Sequence, residues 1–490
     1  MEHFIIGICV VSSCCLGYFF AWRQFSRDRF RLSLLLILFC GLIMRLYMAS
    51  DHYIHDWDER YHALVAKNLI KHPLKPTLYD NTVLQPDYKE WVGNNVWLHK
   101  PTVPLYFIAA AIYVFGTTEI AVRLPSLLIS LLAIYLTFLL GCKLFDKKIA
   151  LLAAFLHSIN GIVLEIAGGI LASDHVETFY DVFIEIAVLF CVISIIKKNK
   201  YYFSFLGGVF VGLAILSKWL PALIVFPVWL TGVLFSKKCT LKEIFNHLIF
   251  IFTGCLIIAL PWFIYFLKQF PQEARWEIHQ SLFAYSESIE GFSAPFWYYL
   301  NYVEIIFGEI VYIPLLFAIY FMIKDRKEWA LKLLSVWWII PVMIFSFSET
   351  KRHTYLMISA PAYFLITAWF WFYLQNVVAS RKYNWIKYLI LAFLIVLPIR
   401  LCLERMKPFN KEEMNPSWAK ELRLLKQQIS EKQVVIFNSE RPIETMFYTN
   451  FTAYSGLPSS ATIHKFISNG YTPYVYKNGV LQKLILDGGH

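Results

Sequence analysis

A succession of apolar runs, each long enough to cross a bilayer, constrains this chain more than any other feature. A run of roughly 18 or more apolar residues satisfies its backbone only as a helix and finds its solvent in lipid. Such runs recur from residues 4–22 to residues 388–402, about twelve in all by hydropathy reasoning. They predict an all-α polytopic membrane protein, since a barrel would show short alternating strands. Only 16% of the residues are charged, against about 25% in a soluble domain.

The basic residues set the topology. Arg23, Arg27, Arg29 and Arg31 follow the first run. Later clusters, such as Lys143, Lys147 and Lys148 or Lys237, Lys238 and Lys242, fall at every second exit from the apolar segments. This is the positive-inside pattern, and it accounts for the net charge of +11 with some left for anionic lipid, without a nucleic-acid partner. The nine cysteines lie in or beside apolar segments with no Cys-x-x-Cys spacing, so neither a disulfide framework nor a structural zinc site is expected.

This topology places residues 51–61 and everything after Leu403 on the outer face. We expect a transmembrane catalytic domain over 1–403, with an outer loop at 51–103, and a small extracytoplasmic α/β domain over 404–490. Residues 103–115 are apolar but too short to span comfortably, which suggests either a juxtamembrane helix along the outer membrane surface or a re-entrant segment. In the tail, 418–430 has helical spacing and 434–437 reads as a strand. Residues 474–476 and 480–484 flank a Lys477-Asn478-Gly479 hairpin signal.

Three acids, Asp56, Asp58 and Glu59, crowd the mouth of a membrane helix. Carboxylates there are costly unless water, a cation, a metal or a substrate meets them. A solvated acidic loop is the bland alternative. The same topology also puts His99, Lys100, Asp174, Lys218, Lys351 and Arg352 on the outer face. Acids and cations brought to one face suit an anionic lipid-linked substrate meeting a general base. Taken singly, Lys218 is as readily a snorkelling lysine and Asp174 a helix cap.

An ordered series of motifs carries a family resemblance. It runs through Asp58-Glu59-Arg60-Tyr61, Leu98-His99-Lys100-Pro101, Arg123-Leu124-Pro125-Ser126, Asp174, Leu216-Ser217-Lys218, Leu260-Pro261-Trp262, Ala294-Pro295-Phe296-Trp297 and Lys351-Arg352-His353-Thr354-Tyr355. The chain resembles polyprenyl-phosphate-sugar glycosyltransferases of the GT-C fold, in the branch of the lipid A aminoarabinose transferase and the protein O-mannosyltransferases. The resemblance implies Asp58 as catalytic base with Glu59 beside it and Asp174 as second acid. It also implies Lys100 holding the lipid phosphate and Tyr355 approaching it. Asp56, Lys218, Lys351 and Arg352 complete the expected substrate contacts. The first helix is extra relative to the family's usual start, and residues 273–286 match it poorly. No cofactor is obligatory in this reading, and a divalent metal at Asp58 and Glu59 is left open.

The expected function is therefore inverting transfer of a sugar from a polyprenyl-phosphate donor to a lipid, glycan or protein acceptor. The expected place is a bacterial inner membrane, with the active site on the periplasmic side. The alternative is a transporter or flippase of a lipid-linked glycan, which calls for internal repeats and ionisable residues near the bilayer midplane. The sequence shows no repeat, and its candidate site residues sit at the outer helix ends.

Overall fold

The computed structural model describes residues 2–171, 175–197, 200–283, 285–288, 291–324, 328–377, 381–409, 414–477 and 480–484. The chain divides into two compact units. One comprises Met1–Ala49, Ser126–Gln269 and Glu277–Lys411, the other Ser50–Pro125, Phe270–Trp276 and Glu412–His490. The outer loop thus groups with the tail rather than with the membrane helices expected to carry it.

The first unit is a bundle of apolar helices. Among the described residues, eight helices are long and apolar enough to cross a membrane, or up to ten when two bent pairs are each counted as one span. The twelve segments read from the sequence are all helical, but two of them, Tyr202–Lys218 and Leu220–Ser236, are short. The bends have local causes. Lys147–Ser158 and Gly161–Ala167 meet at 56°, where Asn160 Oδ1 accepts from Val163 N–H (3.0 Å) and starts a new helix. Tyr298–Phe307 and Tyr312–Lys324 meet at 113°; Gly308, between them, has φ 107°, a conformation open to glycine.

Small residues let the helices approach closely. A side-chain carbon on Gly208 would stand 2.0 Å from the Ile251 carbonyl oxygen, and one on Gly254 2.3 Å from that of Phe205. These two glycines seat Tyr202–Lys218 against Leu241–Gln269, the close backbone contact that drives helix association in lipid. On the second of these helices, Phe245, Ile249, Phe252 and Leu256 are exposed, which suits a hydrocarbon surround.

The second unit joins the helices Asp58–Leu69 and Val103–Phe115 to the α/β tail. Asn68 pins the intervening chain by donating to the carbonyls of Thr77 and Leu78, both at 3.0 Å. The tail has strands β1 (Val434–Phe437), β2 (Thr452–Ala453), β3 (Thr472–Lys477) and β4 (Val480–Lys483), in the order β2-β1-β3-β4. β1 pairs in parallel with β2 and β3, and β3 pairs antiparallel with β4, as the hairpin signal predicts. β1 matches the expected strand and Ser417–Gln428 the expected helix. The helices Pro442–Thr449 and Ser460–Ser468 are additions to the sequence reading.

Candidate active site

In the second unit, the acidic loop resolves into carboxylates with different fates. Trp57 adopts φ 71° and ψ −133°, rare and strained for a bulky residue, and Asp58 then opens the Asp58–Leu69 helix. Asp58 is half-buried and has neither a hydrogen bond nor an ion pair among the described residues. The positive end of the helix dipole favours a carboxylate there.

Glu59 is fully buried. Arg123, also fully buried, donates from Nε to Glu59 Oε1 (2.7 Å) and from Nη2 to Oε2 (3.0 Å). The same guanidinium donates to the carbonyls of Asp51 (2.6 Å) and Tyr53 (2.5 Å). The backbone N–H of His55 donates to Glu59 Oε2 (2.5 Å), while His55 Nε2 lies 3.1 Å from Asp51 Oδ2. Burial and Arg123 push the His55 pKa down, but Glu59 and Asp51 outweigh them and leave it above the ordinary 6.5.

This knot corrects the reading of Glu59 as a catalytic group or metal ligand. Both of its oxygens are occupied by N–H donors, so it holds the loop and is not open to a proton or a cation. Of the two acids offered for a divalent ion, Glu59 is therefore already committed to Arg123 and the His55 N–H. Among the described residues, no group of three or more His, Cys, Asp or Glu is arranged to hold a metal.

Asp56 is exposed and pairs with Arg441 (3.0 Å), whose guanidinium lies 4.1 Å from the Trp418 ring centroid. Its carboxylate thus fastens the tail. Lys100 is half-buried, just before the Val103–Phe115 helix. Its neighbour His99 packs on Trp91, with ring centroids 3.6 Å apart, and on Trp97.

In the first unit, Lys218 ends the Tyr202–Lys218 helix, and Trp219 (φ 79°) turns the chain away from it. The Lys218 ammonium pairs with buried Glu177 and lies 4.7 Å from the Tyr355 ring centroid. That ring in turn packs on Phe345 at 5.0 Å. Ion pair and cation–π contact together hold the ammonium in a fixed place.

The loop from Ser348 to Arg352 is tied down as well. The backbone N–H groups of Glu349 and Lys351 donate to the carbonyls of Tyr285 (3.1 Å) and Phe292 (2.9 Å). The Lys351 ammonium is buried and donates to the Ser348 carbonyl, so it turns into its own loop instead of outward. Arg352 is half-exposed, 4.4 Å from the Phe292 ring centroid. Asp174, the expected second acid, lies outside the described residues.

Sequence reasoning gave no role to Arg123, Arg441 or Glu177, all of which organise the two clusters. It also passed over Asp181 and Glu185, which follow Glu177 at four-residue spacing within the His175–Ile196 helix. Their signal was present, because carboxylates inside an apolar span are costly.

Comparison with known proteins agrees with the resemblance carried by the motifs. The family profile for dolichyl-phosphate-mannose-protein mannosyltransferase matches residues 99–265. Undecaprenyl phosphate-alpha-4-amino-4-deoxy-L-arabinose arabinosyl transferase 1 of Pseudomonas fluorescens is 25% identical over 272 residues, 53% of this chain and 46% of the relative. The chain spans about half the length of the curated arabinosyl transferases it matches. Among solved structures, ArnT from Cupriavidus metallidurans bound to undecaprenyl phosphate superposes with a TM-score of 0.63. That likeness holds at 14% identity and covers 92% of this chain and 93% of the other. The archaeal oligosaccharyltransferase AglB from Archaeoglobus fulgidus, in complex with an inhibitory peptide and a dolichol-phosphate, gives a TM-score of 0.57. Its identity is 14%, over 86% of this chain and 64% of the other. The chain has the GT-C fold.

Proposed function

We propose that this GT-C-fold chain is an inverting glycosyltransferase acting on a polyprenyl-phosphate-sugar donor. It passes the sugar to a lipid, glycan or protein acceptor on the outer face of the membrane, in a bacterial inner membrane with the site on the periplasmic side. The donor class is supported by the curated arabinosyl transferases and by the undecaprenyl phosphate named with the ArnT structure. AglB, described with a peptide, keeps a protein acceptor in the set.

The observation that carries this reading is Asp58, a carboxylate with no hydrogen bond or ion pair among the described residues, beside one that is paired through both oxygens. In the proposed reaction, Asp58 takes the proton from the acceptor's nucleophile as that atom bonds to the anomeric carbon. The anomeric carbon–oxygen bond to phosphate breaks, and the lipid phosphate leaves with the electron pair. Cations and a phenol hydroxyl stabilise the charge that develops there. Lys100, Lys218, Arg352 and Tyr355 are the groups assigned to that phosphate, with Glu177 positioning Lys218. Asp174 is retained as the second acid. No cofactor is obligatory in this reading.

The test is turnover of a panel of polyprenyl-phosphate sugars by purified protein in lipid, read as release of free polyprenyl phosphate. Release with at least one donor supports the transferase. Passage of labelled lipid across vesicles without release supports the flippase instead.

A further inference from the structure

The helix His175–Ile196 carries three carboxylates, Glu177, Asp181 and Glu185, on one stripe of a candidate membrane span. Four-residue spacing places them on one face over about 12 Å of helix axis. Glu177 meets Lys218. Asp181 and Glu185 have no ion pair among the described residues. Glu185, 1% exposed, accepts a hydrogen bond from Thr137 Oγ1 at 2.6 Å, and the same oxygen is 2.8 Å from His157 Nδ1.

Beside this stripe is a cavity of about 30 Å³, lined by Asp181, Glu185, Thr178, His157 and Ser130 among others. Two polar atoms of its lining are buried without a hydrogen-bond partner, Asp181 Oδ1 and the hydroxyl of Thr178, a residue 5% exposed. Most of the lining is apolar, including Ala133, Val163, Ile166 and Met357, so the polar partners for water are gathered at the Asp181 and Thr178 side, and the volume has room for about two water molecules. The titratable or charged groups facing the stripe from packed elements are Lys218, Tyr355 and His157. Beyond Ser130 lies Arg45, whose Nε is 2.9 Å from the Ser130 hydroxyl. Arg45 is therefore spent on Ser130 and on the Gly41 carbonyl (3.1 Å).

We propose that this cavity is an internal binding site for water and an exchangeable proton, shared between Asp181 and Glu185. Two neighbouring carboxylates with no ion pair of their own among the described residues cannot both stay charged in a membrane interior at low cost, and one proton between them removes the repulsion. Water satisfies the idle oxygens of Asp181 and Thr178 and joins them to Glu185, while Thr137, itself hydrogen-bonded to His157, fixes the far side of Glu185. One turn from Asp181, Glu177 pairs with the lysine assigned to the donor phosphate. Losing the proton adds negative charge one turn from Glu177, the partner of Lys218. The proton site itself does not depend on the transferase reading.

Difference infrared spectroscopy of the full chain in lipid tests this without reference to turnover. The wild type is expected to show a protonated-carboxyl band at neutral pH that shifts in D2O, disappears on alkaline titration and is lost or reduced in Asp181→Asn and Glu185→Gln. A folded wild type with no such band at neutral pH overturns the proposal. So does a band that sodium removes at constant pH, which marks a cation site. Should either variant not fold, Thr178→Val leaves both carboxyls in place while taking one partner from the water. It is expected to move the band, and an unmoved band contradicts the proposal.

Discussion

Arg123 and Glu59 form a completely buried ion pair, Nε to Oε1 at 2.7 Å, joining residues 64 apart in sequence. Through the Asp51 and Tyr53 carbonyls the same guanidinium fixes the loop that leads into Asp58. A pair of this kind is sensitive to the loss of one partner, because the other is left charged in an apolar surround.

Arg123→Met and Glu59→Leu are each expected to cost ~3–5 kcal/mol of stability. The double substitution should recover a good part of that loss, because no charge is then stranded. Thermal unfolding of the four proteins in one detergent provides the cycle. Additive losses would show that the two side chains do not act as a pair.

His55 makes the same loop sensitive to pH. Its pKa in the fold lies above the ordinary 6.5, since Glu59 and Asp51 outweigh burial and Arg123. A raised pKa means that the protonated form is stabilised by folding. The contribution is fully present below about pH 6.5 and is lost as pH rises through the higher folded value. His55→Gln should flatten the stability profile in that window. Unchanged pH dependence would place the titrating group elsewhere.

Lys218, held by Glu177 and the Tyr355 ring, tests the phosphate side of the proposal. Lys218→Met is expected to lower turnover roughly 10²–10³-fold, the usual loss for one charge-stabilising donor. Tyr355→Phe keeps the ring under the ammonium and loses only the hydroxyl. Tyr355→Leu also removes a cation–π contact of about 0.5–2 kcal/mol. The expected order of activity is wild type, then phenylalanine, then leucine. Equal activity of the two tyrosine variants would remove the ring from the account.

The limits of the sequence reading have physical causes. Apolar length found the helices, but it cannot see a bend produced by an Asn160 cap or by Gly308. The strand Val434–Phe437 was legible because all four residues are apolar and buried, whereas Thr452–Ala453 is too short to leave a pattern. Asp58 and Glu59 are adjacent acids, and only a distant arginine decides which one turns inward. Lys351 looked like a free cation in a loop, yet its own Ser348 carbonyl takes the ammonium. A transporter calls for ionisable residues near the bilayer midplane, whereas most candidate site residues sit at the outer helix ends. Asp181 and Glu185 are exceptions, at four-residue spacing inside an otherwise apolar run.

The central claim is that Asp58, left unpaired by the arrangement around Glu59, is the base of a glycosyl transfer. The most direct measurement is release of polyprenyl phosphate, together with product formation, by wild type and Asp58→Asn in lipid. Asp56→Asn serves as a control that removes only a surface pair. The account predicts a roughly 10²–10⁴-fold loss for Asp58→Asn, with only a small fall in unfolding temperature, because no partner is stranded and the lost helix-dipole interaction is about 0.3–1 kcal/mol. Asp56→Asn should stay close to wild type. Full activity in Asp58→Asn would contradict the account.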